Sequence, residues 1–223
     1  MAFLLHLLRK GDLFCDVGAN AGVYTVLAGR AVGCSVVAAE PVPQAFNLLM
    51  QNVYANGIAD RVDARNVGVG SQVGSLNFTS SLWSYNHVVE AGGENTISVE
   101  SYPLDQLLNG RVPLAIKVDV EGFEGQVIAG ARETLANPEL QAVVIEVWHG
   151  HLARYNDTVE QMLDAFREAG LSGPYWYDPE QRELVSPGRQ EKRKFNQIFV
   201  RNIDFVSARL SSSVPYEVHG THV

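Results

Sequence analysis

The stretch Asp16-Val17-Gly18-Ala19-Asn20-Ala21-Gly22-Val23-Tyr24-Thr25 holds residue types and spacings that point to chemistry. It follows a short apolar run, so it lies where a strand gives way to a helix. Open parallel sheets bind ligands at that edge. Gly18 and Gly22 let the chain turn tightly and approach a ligand with no Cβ in the way. A dinucleotide fingerprint needs G-x-G-x-x-G, and here Asn20 and Val23 stand at its second and third glycine positions. A bound pyrophosphate is therefore not expected, and Asp16 would repel phosphate. The same acid suits a cationic ligand. S-adenosylmethionine has an ammonium and a sulfonium and no phosphate. Glu40 lies 22 residues beyond Gly18, in Ala38-Ala39-Glu40-Pro41. A carboxylate there accepts hydrogen bonds from ribose hydroxyls. Asn66 and Val67 end a third strand and are placed to flank an adenine, one by hydrogen bond and one by apolar contact.

A second group of polar residues is Lys117-Val118-Asp119-Val120-Glu121-Gly122-Phe123-Glu124. Alternation puts Lys117 and Asp119 on one side of a strand, where they would pair. Glu146 ends the next strand, with Trp148, His149 and His151 beyond it. Asp119, Glu121, Glu146 and His149 are expected to converge above the sheet. Convergent acids and an imidazole beside a cofactor suit proton abstraction from a hydroxyl, with Asp119, Glu121 and His149 as the alternatives for the base. Oxygen ligands from Asp119, Glu121 and Glu146 would also accommodate a divalent cation, although their spacing is not diagnostic of a metal. An aromatic loop, Thr79 to His87, supplies Trp83, Tyr85, Asn86 and His87 as candidate acceptor-binding residues. The alternative for that loop is a surface turn with an aromatic plug.

The elements that must position these residues alternate. Strands are expected at about Leu13–Val17, Ser35–Glu40, Arg61–Val67, Leu114–Asp119 and Ala142–Val147, with helices at about Ala21–Ala31, from Pro43 to Asn56-Gly57, and at Phe123–Leu135. Asp157 reads as the cap of a later helix that ends at Gly170. Tyr175–Asp178 and Phe195–Arg201 read as a final strand pair, and the tail after Asp204 reads as frayed. This order predicts an α/β fold of Rossmann type, a mostly parallel sheet with helices on both faces. Short strands at Ser75–Phe78, Asn86–Glu90 and Thr96–Tyr102 predict a small β insertion at about 70–102. One domain is expected over 1–223, with a core of about 12–204.

Composition narrows the partners. The 223 residues carry 17 Lys and Arg against 25 Asp and Glu, a net charge of −8. An acidic chain repels nucleic acid and anionic membranes. No 18-residue apolar run predicts membrane insertion. Met1–Lys10 reads as a short helix and not as a signal peptide. Any lid before the first strand would be missing or very small. Cys15 and Cys34 read as reduced thiols, which predicts a cytoplasmic location.

The sequence resembles the FkbM-type S-adenosylmethionine-dependent methyltransferases. The resemblance lies in the Asp16–Thr25 block, Glu40-Pro41, Ile116–Glu124 through Gly130-Ala131, and more weakly Val144–Val147. The Asp-x-Glu-Gly-Phe-Glu block is the most specific. The resemblance implies a seven-stranded sheet with a reversed last strand. It also implies methyl transfer to a hydroxyl of a small molecule, often a sugar or a polyketide-like natural product. By position, Asp16, Gly18, Asn20 and Tyr24 would contact the methionine part and Glu40 the ribose. Lys117, Asp119 and Glu121 would lie near the transfer site. Ala19, Thr25, Pro41, Asn66, Val67, Lys117 and Asp119 complete the expected cofactor set, while Glu146 and Trp148 join the acceptor side. A homodimer is a family-level expectation. The alternatives are N-methylation, against which the missing Asn-Pro-Pro-Tyr type loop argues, a non-catalytic cofactor-binding protein, and a nicotinamide oxidoreductase, against which the missing glycines argue.

Overall fold

A computed structural model describes residues 1–79, 87–89, 96–147, 155, 158–186, 196–218 and 221–222. Five short strands form the parallel heart of the main sheet: β1 (Leu13–Val17), β2 (Ser35–Ala39), β3 (Val62–Arg65), β8 (Ala115–Val118) and β9 (Ala142–Glu146). The sheet order is β11-β10-β12-β9-β8-β1-β2-β3, where β10 is Ser172–Asp178, β11 Glu183–Val185 and β12 Asn196–Val200. The strand β12 runs antiparallel between β9 and β10. The reversed strand is therefore present, but the sheet has eight strands and not seven, because β11 folds back on β10 as a hairpin.

Strand alternation divides the core into two layers. Cys15, Val17, Val37, Ile116, Val118 and Ile145 face α4 (Leu104–Leu108), α5 (Glu124–Ala129), α6 (Arg132–Ala136) and α7 (Val159–Glu168). Phe14, Val36, Ala38, Ala115 and Val144 face the other helices. These are α1 (Ala2–Leu7), α2 (Val23–Val26, continued as π-helix over Leu27–Val32), α3 (Pro43–Ala55) and α8 (Ile203–Ser211). A second sheet, β4-β7-β5-β6, holds Gly68–Val69, Thr96–Tyr102, Gly74–Thr79 and Val88–Val89. It is the expected insertion.

Three local expectations change. The helix read over Phe123–Leu135 is two helices, α5 and α6. Gly130 comes so close to Gly70 that a Cβ would lie 2.0 Å from its carbonyl oxygen. Asp105 then caps the second helix, accepting from the Glu133 and Thr134 amides at 3.0 and 2.9 Å. The cap of α7 is Thr158, in a reciprocal capping box with Gln161, whereas Asp157 lies outside the described residues. The tail after Asp204 forms α8 instead of fraying. Asn202 caps it, and Val206 and Leu210, four apart, bury themselves in the cluster that holds Leu4 and Leu7 of α1. Asn202 and that pair were the available signal.

No helix among the described residues is long and apolar enough to cross a membrane. Cys15 and Cys34 are buried free thiols, and burial raises both pKa values, that of Cys34 to about 12.

Candidate functional site

The carboxyl ends of β1, β2 and β8 open into a cleft of about 490 Å³, a size that fits a small organic ligand. At one end, the β1–α2 turn lies against the turn after β2. Gly18 has φ +75°, and a Cβ there would lie 1.9 Å from the Asp119 carbonyl oxygen, so only glycine lets the β1–α2 turn meet the turn after β8. Asn20 is left-handed at φ +51°, a conformation Asn tolerates, and its own Oδ1 accepts from the Ala21 amide at 2.7 Å. The Asn20 amide donates to Glu40 Oε2 and the Val42 amide to Glu40 Oε1, each at 2.8 Å. Glu40 is 6% exposed. Burial raises its pKa, and the two backbone donors act in the opposite direction. Each carboxylate oxygen keeps a lone pair for a ligand hydroxyl.

Val67, Ala19, Tyr24 and Pro41 line the same cleft. Asn66 is outside the wall. Its Nδ2 donates to the Glu40 and Pro41 carbonyls at 2.8 and 2.9 Å, so it ties down the turn that carries Glu40. Asp16 is also outside the wall. Strand alternation aims it under α2, where it is fully buried and accepts from Thr25 Oγ1 at 2.7 Å. Register places Asp16 opposite Lys117. Lys117 Nζ lies 3.8 Å from Asp16 Oδ1 and 3.1 Å from Asp119 Oδ2, donates to the Gly18 carbonyl at 3.2 Å, and sits over the Tyr24 ring. The expected Lys117–Asp119 pair is present, and Asp16 joins it. Burial disfavours the ammonium, but Asp16 and Asp119 outweigh it and raise the Lys117 pKa.

The acids gather at the other end of the cleft. Val118 lies opposite Ile145, so Asp119 and Glu146, next in each chain, fall level. Ligand atoms of Asp119, Glu121 and Glu146 lie within 4.8 Å of one another, a set that suits a hydroxyl or a hard divalent cation. Glu121 reaches this place from a left-handed backbone at φ +54°. Glu124, which sequence reasoning gave no role, shapes that loop. Its buried Oε1 accepts from the Val120 and Gly122 amides at 3.1 and 3.2 Å. Burial, set against those donors, leaves its pKa at about 7. The half-buried Glu146 is pushed up to about 8, first by burial and then by the charge of Asp119 and a hydrogen bond with it. Sequence reasoning put Glu146 with the acceptor-binding residues, and no sequence signal marks its shifted pKa.

The inserted sheet supplies Phe78 and Val88 to the cleft wall. Phe78 packs with Val42 and Val99 in a small buried cluster of its own. His87 pairs through its backbone with Thr79 and does not line the cleft. Trp83, Tyr85, Asn86, Trp148 and His149 lie outside the described residues.

Fold and cleft together define the class of Rossmann-like methyltransferase folds. An rRNA methylase of Streptococcus thermophilus is similar in structure at 13% identity, with a TM-score of 0.54 over 89% of this chain and 92% of that one. A TehB-like SAM-dependent methyltransferase of Corynebacterium glutamicum is similar at 14% identity, with a TM-score of 0.50 over 90% and 87%. The Methyltransferase FkbM domain family matches residues 16–171, and the chain belongs to that family of S-adenosylmethionine-dependent methyltransferases. A curated relative, the hexuronic acid methyltransferase AglP of Haloferax volcanii, is 28% identical over 150 residues, which are 66% of this chain. The match spans 60% of AglP's own length.

Proposed function

We propose that the cleft binds S-adenosylmethionine and that the protein transfers a methyl group to a hydroxyl of a small molecule, a sugar or a polyketide-type natural product. One observation carries this reading: Glu40 and three clustered carboxylates open into a single cleft whose described lining offers a phosphate no uncommitted cation. Among the described lining residues, Lys117 is the one Lys or Arg side chain, and it is committed to Asp119, Asp16 and the Gly18 carbonyl. A pyrophosphate would find no counter-charge there, whereas Glu40 offers lone pairs to a ribose. That the relative AglP is a hexuronic acid methyltransferase supports a sugar.

The sulfonium of the bound cofactor supplies an already activated methyl group. The protein's task is then alignment and proton removal. Glu40 and the Asn20 turn hold the nucleoside, and the acids hold the acceptor oxygen at the other end. Glu146 is the best-matched proton acceptor, because its pKa of about 8 lies near working pH.

Calorimetric titration with S-adenosylhomocysteine, with NAD as control and each with and without magnesium, tests the reading. Binding of S-adenosylhomocysteine alone is expected, followed by turnover in a screen of hydroxylated sugars. NAD binding in its place would overturn the cofactor assignment. Tighter binding or faster turnover with magnesium would give the acid cluster a cation.

A further inference from the structure

We propose that Tyr155 is a strap that fastens the inserted sheet across the cleft and so sets how long the cofactor stays bound. This rests on the reading of the cleft as the cofactor site.

The strand β6 is only two residues long and pairs with β5 through Asn77–Val89 and Phe78–Val88. The Thr79 amide donates to the His87 carbonyl at 3.0 Å just beside that pairing. Val88 lines the cleft from this small sheet, and Phe123 lines it from the loop after β8 that carries Asp119 and Glu121. Tyr155 joins the two. Its hydroxyl donates to the Val88 carbonyl at 2.8 Å, and its ring meets Phe123 edge-on at 5.1 Å and 83°. Tyr155, 67 residues from Val88 along the chain, thus links a strand of the insertion to the segment bearing the acids.

The acceptor of this bond is main chain, so the bond holds the position of β6 and not the identity of residue 88. The insertion is also anchored at the Val42 side, through Phe78 and Val99, and on α5, where Ser71 Oγ donates to Gln126 Oε1 at 2.9 Å. Without Tyr155, β6 loses this link to Phe123. Tyr155 is therefore a positioning residue that acts through Val88 and Phe123.

The test is Tyr155→Phe, which keeps the ring on Phe123 and removes only the hydroxyl. Stopped-flow kinetics with S-adenosylhomocysteine should show dissociation about three- to tenfold faster, the scale of one hydrogen bond, with association unchanged. The thermal midpoint should not move. Hydrogen exchange without ligand should quicken at the Thr79 amide and not in β1 or β8. Equal dissociation rates in wild type and variant would overturn the strap. If the wild type fails to bind S-adenosylhomocysteine, the cofactor reading falls by itself. Exchange at Thr79 then decides the strap alone, and an unchanged rate there overturns it.

Discussion

At the Glu40 end of the cleft the polar groups answer to the main chain, whereas at the Glu146 end carboxylates answer to one another. Glu40 accepts from two backbone amides, and Asn66 ties the carbonyls of the same turn. Backbone donors have fixed positions and no titration of their own, so that end keeps a fixed shape around the one carboxyl of Glu40. At the other end, Asp119, Glu121 and Glu146 crowd within 4.8 Å, and Glu146 answers with a pKa of about 8. Three acids so close cannot all hold their charge without a proton or a cation among them. The first arrangement suits recognition of a ligand that never changes. The second suits chemistry that moves a proton.

The largest expected effect breaks the meeting of the two ends. Gly18→Ala forces a Cβ into the Asp119 carbonyl from a positive φ. It should cost about 3–4 kcal/mol in denaturant unfolding, with loss of S-adenosylhomocysteine binding. Next, Glu40→Ala leaves the Asn20 and Val42 amides without their carboxylate. Calorimetry should show S-adenosylhomocysteine affinity falling about 10- to 100-fold. Retained affinity would remove Glu40 from the cradle.

The comparison sharpens with Glu146→Gln. Turnover should fall about 10- to 100-fold while S-adenosylhomocysteine affinity stays near wild type. Its stability profile should also change. A carboxyl whose pKa rises on folding, from 4.5 to about 8, holds its proton more firmly in the native state. Its contribution is complete below about pH 4.5 and is lost as pH climbs through 8. Glu146→Gln should therefore flatten the decline in the thermal midpoint between pH 5 and 8.5. Glu146 is only half-buried, so solvent screening keeps the change modest. Glu124, with a pKa of about 7, leaves some slope behind.

The smallest effect lies outside the cleft. Thr158→Ala removes the capping box of α7 and should cost about 1 kcal/mol in unfolding, with cofactor affinity unchanged. A change in affinity would mean that α7 is coupled to the site.

Much of this molecule was legible before any coordinates. Apolar runs marked four of the five parallel strands, because strands buried on both faces read as near-continuous apolar stretches, whereas β3, Val62–Arg65 at the sheet edge, alternates apolar and charged residues. The Gly18–Gly22 turn and Glu40 were also legible, since a turn and a strand end are local features. Asp16 was not. Its type and spacing matched a ligand contact, yet alternation along β1 turned it under α2 toward Thr25 and Lys117. The break at Gly130 was hidden for a similar reason, because its cause is Gly70, far away in the chain. The helix α8 carried a local signal in Asn202 and the Val206–Leu210 spacing, but what that face packs on, α1, lies at the opposite end of the sequence.

The sequence by itself determined the layered α/β class, the tight glycine turn, the acid after β2 and the presence of acids after β8 and β9, because each is set by neighbours along the chain. Only the tertiary structure decided which of those groups share a space. Strand register brought Asp119 level with Glu146, a left-handed Glu121 joined them, and burial of Glu146 beside Asp119 moved its pKa. Proximity and desolvation are properties of the packed molecule, and residue types and spacing along the chain do not contain them.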